Sequence, residues 1–327
     1  MFKYIFGPVP SRRLGLSLGI DLLGAKICSM NCVYCEVRKT EKLTMARKAY
    51  VPGELVIREL DLFFRTHPGI DLNYITFSGQ GEPTLSTEIS PVIRYMKACY
   101  PYKIAVLTNG TLLDREDVRK DLLGADLIVP SLDAVSQKVY KAVNHPHNSV
   151  RVENVIKGIK ALRKEFSGEL HLEILIVKGI NDSDAEISLL KEKVRDIAPD
   201  KVYVHSIHRP PAFSDAESME DSRIEELQMA FESCLQQHGN GLKTISSVGK
   251  GSNKSWDEKR LVGQLESMLY VRPCTLEDLT KVFCGHESGL KSKKLKGILD
   301  SLVESGILEL AHFDRRDFYC LKRSKVL

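Results

Sequence analysis

Apolar positions along the first 205 residues follow two alternating periods. Six short runs are nearly continuous in apolar, often β-branched residues: LSLGIDLL (16–23), LNYITFSG (72–79), YKIAVLTN (102–109), ADLIVPSLD (125–133), LHLEILIV (170–177) and KVYVHSI (201–207). Strands covered by helices on both faces read this way. Between them, ELVIRELDLFFRTH (54–67), ISPVIRYMKACY (89–100), VENVIKGIKALRKEF (152–166) and SDAEISLLKEKVRDI (183–197) space their apolar residues three and four apart, which predicts helices. Ser183 with Glu186 three residues on is a capping-box pattern. Six strand–helix alternations predict an α/β fold on a parallel sheet, either a full or partial barrel or a doubly wound sheet.

The pattern changes towards the C-terminus. A helix near 220–238 and an extended LKTISSV (242–248) complete the first domain, and GKGSNKS (249–255) reads as a linker without an apolar anchor. DEKRLVGQLESMLY (257–270), TLEDLTKVF (275–283) and SGLKSKKLKGILDSLVES (288–305) then predict three helices, the second capped by Thr275 with Asp278 three residues on. ILELAHF (307–313) and FYCLKR (318–323) flank Asp314-Arg315-Arg316-Asp317 as a hairpin. Three helices and a hairpin describe a small winged-helix domain. The expected division is 1–248, a linker at 249–255, and 256–327.

Composition narrows the class. With 327 residues, 43% hydrophobic and 28% charged, the chain has the make-up of a soluble globular protein with room for one large domain and a smaller module. No apolar run approaches the roughly 18–20 residues that span a bilayer, and MFKYIFGPVPSRRLG lacks the apolar core of a secretory signal, so a cytoplasmic protein without a membrane partner is expected. The net charge of +4 resides in residues 250–327, which carry 15 Lys+Arg against 11 Asp+Glu, while the preceding residues carry 32 of each. An excess of this size suits either an acidic partner or a solvated surface.

Eight cysteines in such a chain argue for metal or redox chemistry rather than a disulfide framework. Three of them, Cys28, Cys32 and Cys35, fall within KICSMNCVYCE (26–36), and the next is Cys99. A structural zinc site closes with four ligands, and no fourth stands nearby. A cubane of four irons held by three thiolates leaves one iron open for an exogenous ligand. The loop follows the first strand of the parallel set, which places it at the C-terminal edge of the sheet, where α/β folds bind ligands. Cys99, Cys234, Cys274, Cys284 and Cys320 show no ligand spacing and read as structural thiols.

CSMNCVYC resembles the CxxxCxxC signature of the radical S-adenosylmethionine (SAM) superfamily, and FSGQGEPTL after the second strand looks like that superfamily's glycine-rich GGEP element. LTNG, SLDA and VKGIND end the next three strands at the same rim. The resemblance covers roughly residues 5–210. It implies a partial (β/α)6, TIM-like barrel and a [4Fe–4S] cluster on Cys28, Cys32 and Cys35 whose open iron chelates SAM. It further implies a flavodoxin- or ferredoxin-type electron donor, reductive cleavage of SAM, and a 5′-deoxyadenosyl radical that abstracts hydrogen from a substrate.

On the same resemblance, Tyr34 contacts adenine, Gly79, Gly81 and Glu82 approach the methionyl amino group, and Asn109, Ser131, Asp133 and Asn181 are candidate SAM contacts. Each has a plainer reading as a core, turn or capping residue. No residue stands out as the catalytic group that quenches the product radical.

The lead-in GPVPSRRLG, joined to the other motifs, is similar to the branch containing the tRNA demethylwyosine synthases, and Arg12 and Arg13 in it are candidates for an anion clamp at the barrel mouth. Those enzymes hold a second cluster on cysteines upstream of the triplet. This chain has none before Cys28, which points to a relative with another substrate. Lys291, Lys293 and Lys294 on the third helix of the C-terminal module and Arg315 and Arg316 at its hairpin tip are candidate nucleic-acid contacts. Three substrate classes follow: an RNA, with a tRNA base first; a peptide or protein held by the winged helix; and a small molecule. An iron–sulfur sensor without enzyme activity is a fourth reading, which the SAM-type motifs disfavour.

Overall fold

A computed structural model describes residues 2–11, 13–236, 258–284 and 290–322, with side chains in the third stretch from 261 onward. The expected extended stretch at 242–248 and the linker at 249–255 lie outside the described residues, as does Arg12.

The six expected strands form. All but β8 are shorter than their apolar runs: β2 (Gly15–Ile20), β5 (Tyr74–Phe77), β6 (Lys103–Thr108), β7 (Leu127–Pro130), β8 (Glu169–Ile176) and β9 (Lys201–Ser206). They pair in parallel in that order, and β1 (Ile5–Ser11) adds antiparallel to β2, giving a seven-stranded sheet that curls as a half-barrel. β1 is unexpected. Its IFGPVPS holds two prolines, which an interior strand rejects and an edge strand tolerates. Two-residue strands β3 (Ile27–Cys28) and β4 (Lys42–Leu43) brace the cysteine loop.

Helices α1 (Gly53–Thr66), α2 (Ile89–Cys99), α5 (Val152–Glu165), α6 (Asp184–Ile197) and α7 (Asp221–Gln236) match the predicted stretches. Short helices α3 (Glu116–Leu122) and α4 (Gln137–Asn144) fill the remaining crossovers. The Ser183 hydroxyl accepts from the Glu186 N–H as a cap should, but the Glu186 carboxylate does not close the box. It reaches across to accept from Val135 N, Ser136 N and the Ser136 hydroxyl, tying α6 to the loop before α4. The apolar faces of strands and helices share one buried core from Ile5 to Leu235.

The C-terminal module consists of α8 (Glu258–Val271), α9 (Leu276–Phe283), α10 (Leu290–Glu304) and a hairpin of β10 (Leu308–Phe313) and β11 (Arg316–Leu321). Thr275 and Asp278 form a reciprocal capping box at α9. The turn is tighter than the expected tetrad: Phe313 pairs with Arg316, leaving Asp314 and Arg315, both at positive φ, as a two-residue turn of the kind that matches strand twist. Leu295, Leu299 and Leu302 are buried from α10, with Ile298 and Val303 partly so. Phe6 and Val9 of β1 belong to the same apolar cluster, so the module covers one edge of the half-barrel while α7 packs on β9 at the other. Cys234, Cys274 and Cys284 are buried as expected, whereas Cys99 is exposed and Cys320 half-buried. No described helix is long and apolar enough to cross a membrane.

Candidate active site

The cysteine loop leaves the end of β2 through Asp21, whose carboxylate accepts from Leu23 N at 2.9 Å and from the Gln80 amide at 3.1 Å. Burial pushes the Asp21 carboxyl up from its ordinary value, and those hydrogen bonds oppose it. The loop is sewn to the end of α4 by Asn31 N to Asn144 O and Val33 N to Val143 O. It is sewn to the glycine-rich turn by Glu82 N to Ile27 O at 3.2 Å.

Each cysteine sulfur has a polar neighbour. The Lys26 ammonium donates to Cys35 Sγ at 3.1 Å, Asn109 Nδ2 to Cys28 Sγ at 3.5 Å, and Asn144 Nδ2 to Cys32 Sγ at 3.5 Å. Lys26 is 4% exposed and has no carboxylate partner among the described residues, so the cysteine sulfurs are the groups its ammonium faces. Burial pushes the Cys28 thiol up to about 11. Burial also raises Cys32, and the charges of Cys28 and Cys35 raise it further. Among the described residues no three His, Cys, Asp or Glu side chains, the cysteines included, stand preassembled as a cage. The shared surroundings carry the assignment instead: three half-buried cysteines on one loop, of which Cys28 and Cys32 resist ionising alone, fit a cationic cluster that would supply the missing positive charge.

The other predicted residues gather at the same rim but divide in role. Glu82 is buried, and its carboxylate accepts from Thr84 N, the Thr84 and Thr108 hydroxyls, and Asn109 N. Asp133 accepts from the Tyr34 hydroxyl at 2.5 Å, Asn144 Nδ2 at 2.7 Å and Leu175 N at 2.9 Å. Asn181 is wholly buried, accepting from Val177 N and donating to the carbonyls of Asp133 and Leu175. These three side chains face inward and hold the rim's loops.

Gly81 has a reason that spacing does not reveal: a Cβ there would meet the Ile27 carbonyl oxygen at 1.7 Å, so the turn presses against the strand that carries Cys28. Gly79, at φ +99°, packs on Asp21. Tyr34, Gly79, Gly81, Asn109 and Ser131 are half-buried around the cluster loop.

A cavity of about 990 Å³ is lined by Tyr34 and Cys35, by Glu173 and His205, and by Arg272 and Arg316 of the C-terminal module. Arg13 enters it and pairs with Glu173, whose Oε1 also meets His205 Nε2. Beside Cys35, burial pushes the Glu36 carboxyl up, but the charges of Arg209, Arg272 and Arg13 outweigh it and hold the group down at about 2. A smaller hollow of about 340 Å³ lies at Asn31 and His145–Asn148 and reaches none of the cysteines.

Lys293 and Lys294 are exposed on α10, Lys291 is half-buried, and Arg315 and Arg316 are exposed at the hairpin tip. Lys26, Asn144, Glu173 and His205 were not anticipated. Lys26, two residues before Cys28, could have been; the others come together only through the fold.

Residues 23–190, about half of the chain, match the family model described as the radical SAM superfamily. The chain belongs to the radical SAM superfamily. Members are enzymes that use a [4Fe–4S] cluster and S-adenosylmethionine. Among curated relatives, a UPF0026 protein of Methanocaldococcus jannaschii is 29% identical over 96% of this chain and 94% of its own length. A Brachyspira hyodysenteriae protein named GTPase Obg is 33% identical over 93% of this chain, which spans 43% of that relative's length. Among solved structures, Streptococcus suis SuiB bound to precursor peptide SuiA shares the fold at TM-score 0.51 and 18% identity, over 67% of this chain and 46% of SuiB. This radical SAM enzyme therefore covers less than half of two of these three proteins.

Proposed function

We propose that this chain is a radical SAM enzyme acting on an RNA base, with a tRNA the first candidate, and that its C-terminal module is a winged helix that holds the nucleic acid. A [4Fe–4S] cluster, reduced by a flavodoxin- or ferredoxin-type donor, would supply the electron for reductive cleavage of SAM. Cys28, Cys32 and Cys35 hold that cluster. The half-buried rim of Tyr34, Gly79, Gly81, Asn109 and Ser131 seats SAM, while Glu82, Asp133 and Asn181 keep the rim's backbone in place beneath it.

The observation that carries the substrate reading is the shared cavity, lined both by Tyr34 and Cys35 of the cluster loop and by Arg272 and Arg316 of the module. It gives a base extruded from a bound strand a path to the cluster. Exposed Lys293, Lys294 and Arg315 stand on the same module, where a phosphate backbone would lie. Arg12 and Lys291 complete the proposed cationic set. The similarity to the demethylwyosine branch in GPVPSRRLG supports RNA as the substrate class.

The test is anaerobic reconstitution of the full chain, with 5′-deoxyadenosine and RNA mass measured with and without added tRNA. RNA that raises 5′-deoxyadenosine yield, gains a mass change, and binds more weakly as salt rises supports the reading. Binding indifferent to salt, with turnover unmoved by RNA, sinks it in favour of a peptide on the same module.

A further inference from the structure

Three segments far apart in the chain meet at one arginine. Arg209 follows β9, and its side chain is 12% exposed. Its Nη1 donates to Glu36 Oε2 at 3.1 Å, its Nη2 to Asp278 Oδ2 at 3.1 Å, and its Nε to the Pro273 carbonyl at 2.9 Å. Glu36 is the residue after Cys35. Asp278 is the residue whose carboxylate closes the capping box of α9, accepting from Thr275 N at 3.4 Å. One planar fork thus has two arms on the C-terminal module and one on the cluster loop.

Adhesion alone does not call for this arrangement. The module is already seated on β1 by Phe6 and Val9, which are part of its apolar cluster, and by Arg272 Nη2 donating to the Pro10 carbonyl at 3.2 Å. A clasp serving only to hold the module could end on any rim residue. This one ends beside a cluster ligand, in the wall of the cavity that reaches both Cys35 and the module. Arg has the geometry for the task, since its guanidinium holds fixed angles among three acceptors where an ammonium would pivot.

We propose that Arg209 is a positioning residue that couples the seating of the C-terminal module to the geometry of the cluster loop. A substrate gripped by the module would then tighten the loop at Cys35. The inference rests on the family chemistry and not on RNA as the substrate.

The test uses the full chain as wild type, Arg209→Gln, Arg209→Lys and Asp278→Asn, reconstituted anaerobically and matched for iron content, with folding checked by circular dichroism. The electron paramagnetic resonance spectrum of the reduced cluster is recorded with and without SAM, and kcat and KM for SAM cleavage are measured. Arg209→Gln is expected to alter the spectrum and lower kcat by about tenfold or more, as misplacement of a reacting centre does. Arg209→Lys is expected to fall between it and wild type.

Asp278→Asn, which weakens the module's arm together with the capping box of α9 and leaves the Glu36 arm intact, is expected to move the spectrum in the same direction. Superposable spectra for wild type and Arg209→Gln overturn the proposal. So does a wild-type spectrum for Asp278→Asn beside an altered one for Arg209→Gln, because Arg209 would then hold the loop without the module. If Arg209→Gln loses its iron or its fold, Asp278→Asn decides alone. None of these measurements uses RNA, so their failure is distinct from failure of the RNA reading.

Discussion

Glu82 and Asp133 in the barrel are 2% and 1% exposed, and they accept four and three hydrogen bonds from the protein. Lys293 and Lys294 in the C-terminal module are exposed. Both regions are charged, but a buried charge needs each lone pair or proton matched, whereas an exposed one keeps its water. The barrel rim is therefore a place where small changes have large structural costs. The module's surface can vary at little structural cost. The two regions meet in one cavity, so the comparison can be tested from both ends.

The largest effect is expected at the thiolates. Replacing Cys28, Cys32 or Cys35 by Ala removes one of three sulfurs in a loop without a fourth, and it strands the buried Lys26 ammonium with less counter-charge. Iron content after anaerobic reconstitution should fall to background, and 5′-deoxyadenosine should become undetectable. A variant that retains a full complement of iron would overturn the ligand assignment.

A pair of glycines sharpens the contrast. Gly81→Ala puts a Cβ 1.7 Å from the Ile27 carbonyl oxygen, so the turn and the cluster strand must part. The expected cost is about 3 kcal/mol or more, read as a lower Tm together with poorer iron retention. Gly297→Ala, on exposed α10, places its Cβ where nothing stands within 4 Å. It should gain about 0.5–1 kcal/mol from helix propensity, read as a higher Tm. Equal shifts in the same direction would erase the distinction between the two regions.

The barrel should also respond to acid through His171 of β8. Its ring is buried, and burial lowers its pKa from the ordinary 6.5 while the charge of Glu169 opposes this. A depressed histidine favours the neutral form in the folded chain. Its contribution to stability is thus present above about 6.5 and is lost as pH falls through the depressed value. The Tm should drop between about pH 7 and pH 5, and His171→Leu should flatten part of that drop. An unchanged slope in the variant would assign the acid sensitivity elsewhere.

What could be read in the chain was what local chemistry dictates. Strands covered on both faces are apolar without interruption, so β5 to β9 stood out, and a cysteine triplet is a spacing along one loop. β1 was hidden because its prolines mimic a loop. The Glu186 carboxylate kept its capping spacing but serves Ser136, 50 residues away. The ring of Glu36, Arg209 and Asp278 has no local signature, since its members come from a loop, a strand end and a helix cap. The inward-facing carboxylates of Glu82 and Asp133 were placed correctly at the rim, but which way they face depends on packing between segments.

The smallest effect is expected on the module's surface, where it is also the most informative about substrate. Lys293 and Lys294 are exposed, and no carboxylate lies within ion-pair reach of either among the described residues, whereas neighbouring Lys296 pairs with Asp300 at 2.9 Å. Replacing both by Gln should leave the unfolding free energy within about 0.5 kcal/mol of wild type, because no buried group loses a partner. If they meet phosphates, the slope of log affinity for tRNA against log salt should become shallower by roughly one per lysine, with affinity falling similarly for unrelated RNA sequences. Lys296→Gln is the internal control: its charge is already matched, so its slope should change less. Equal slopes for wild type and the double variant would remove this face of α10 from any contact with nucleic acid, and the module's charge excess would then be solvated surface.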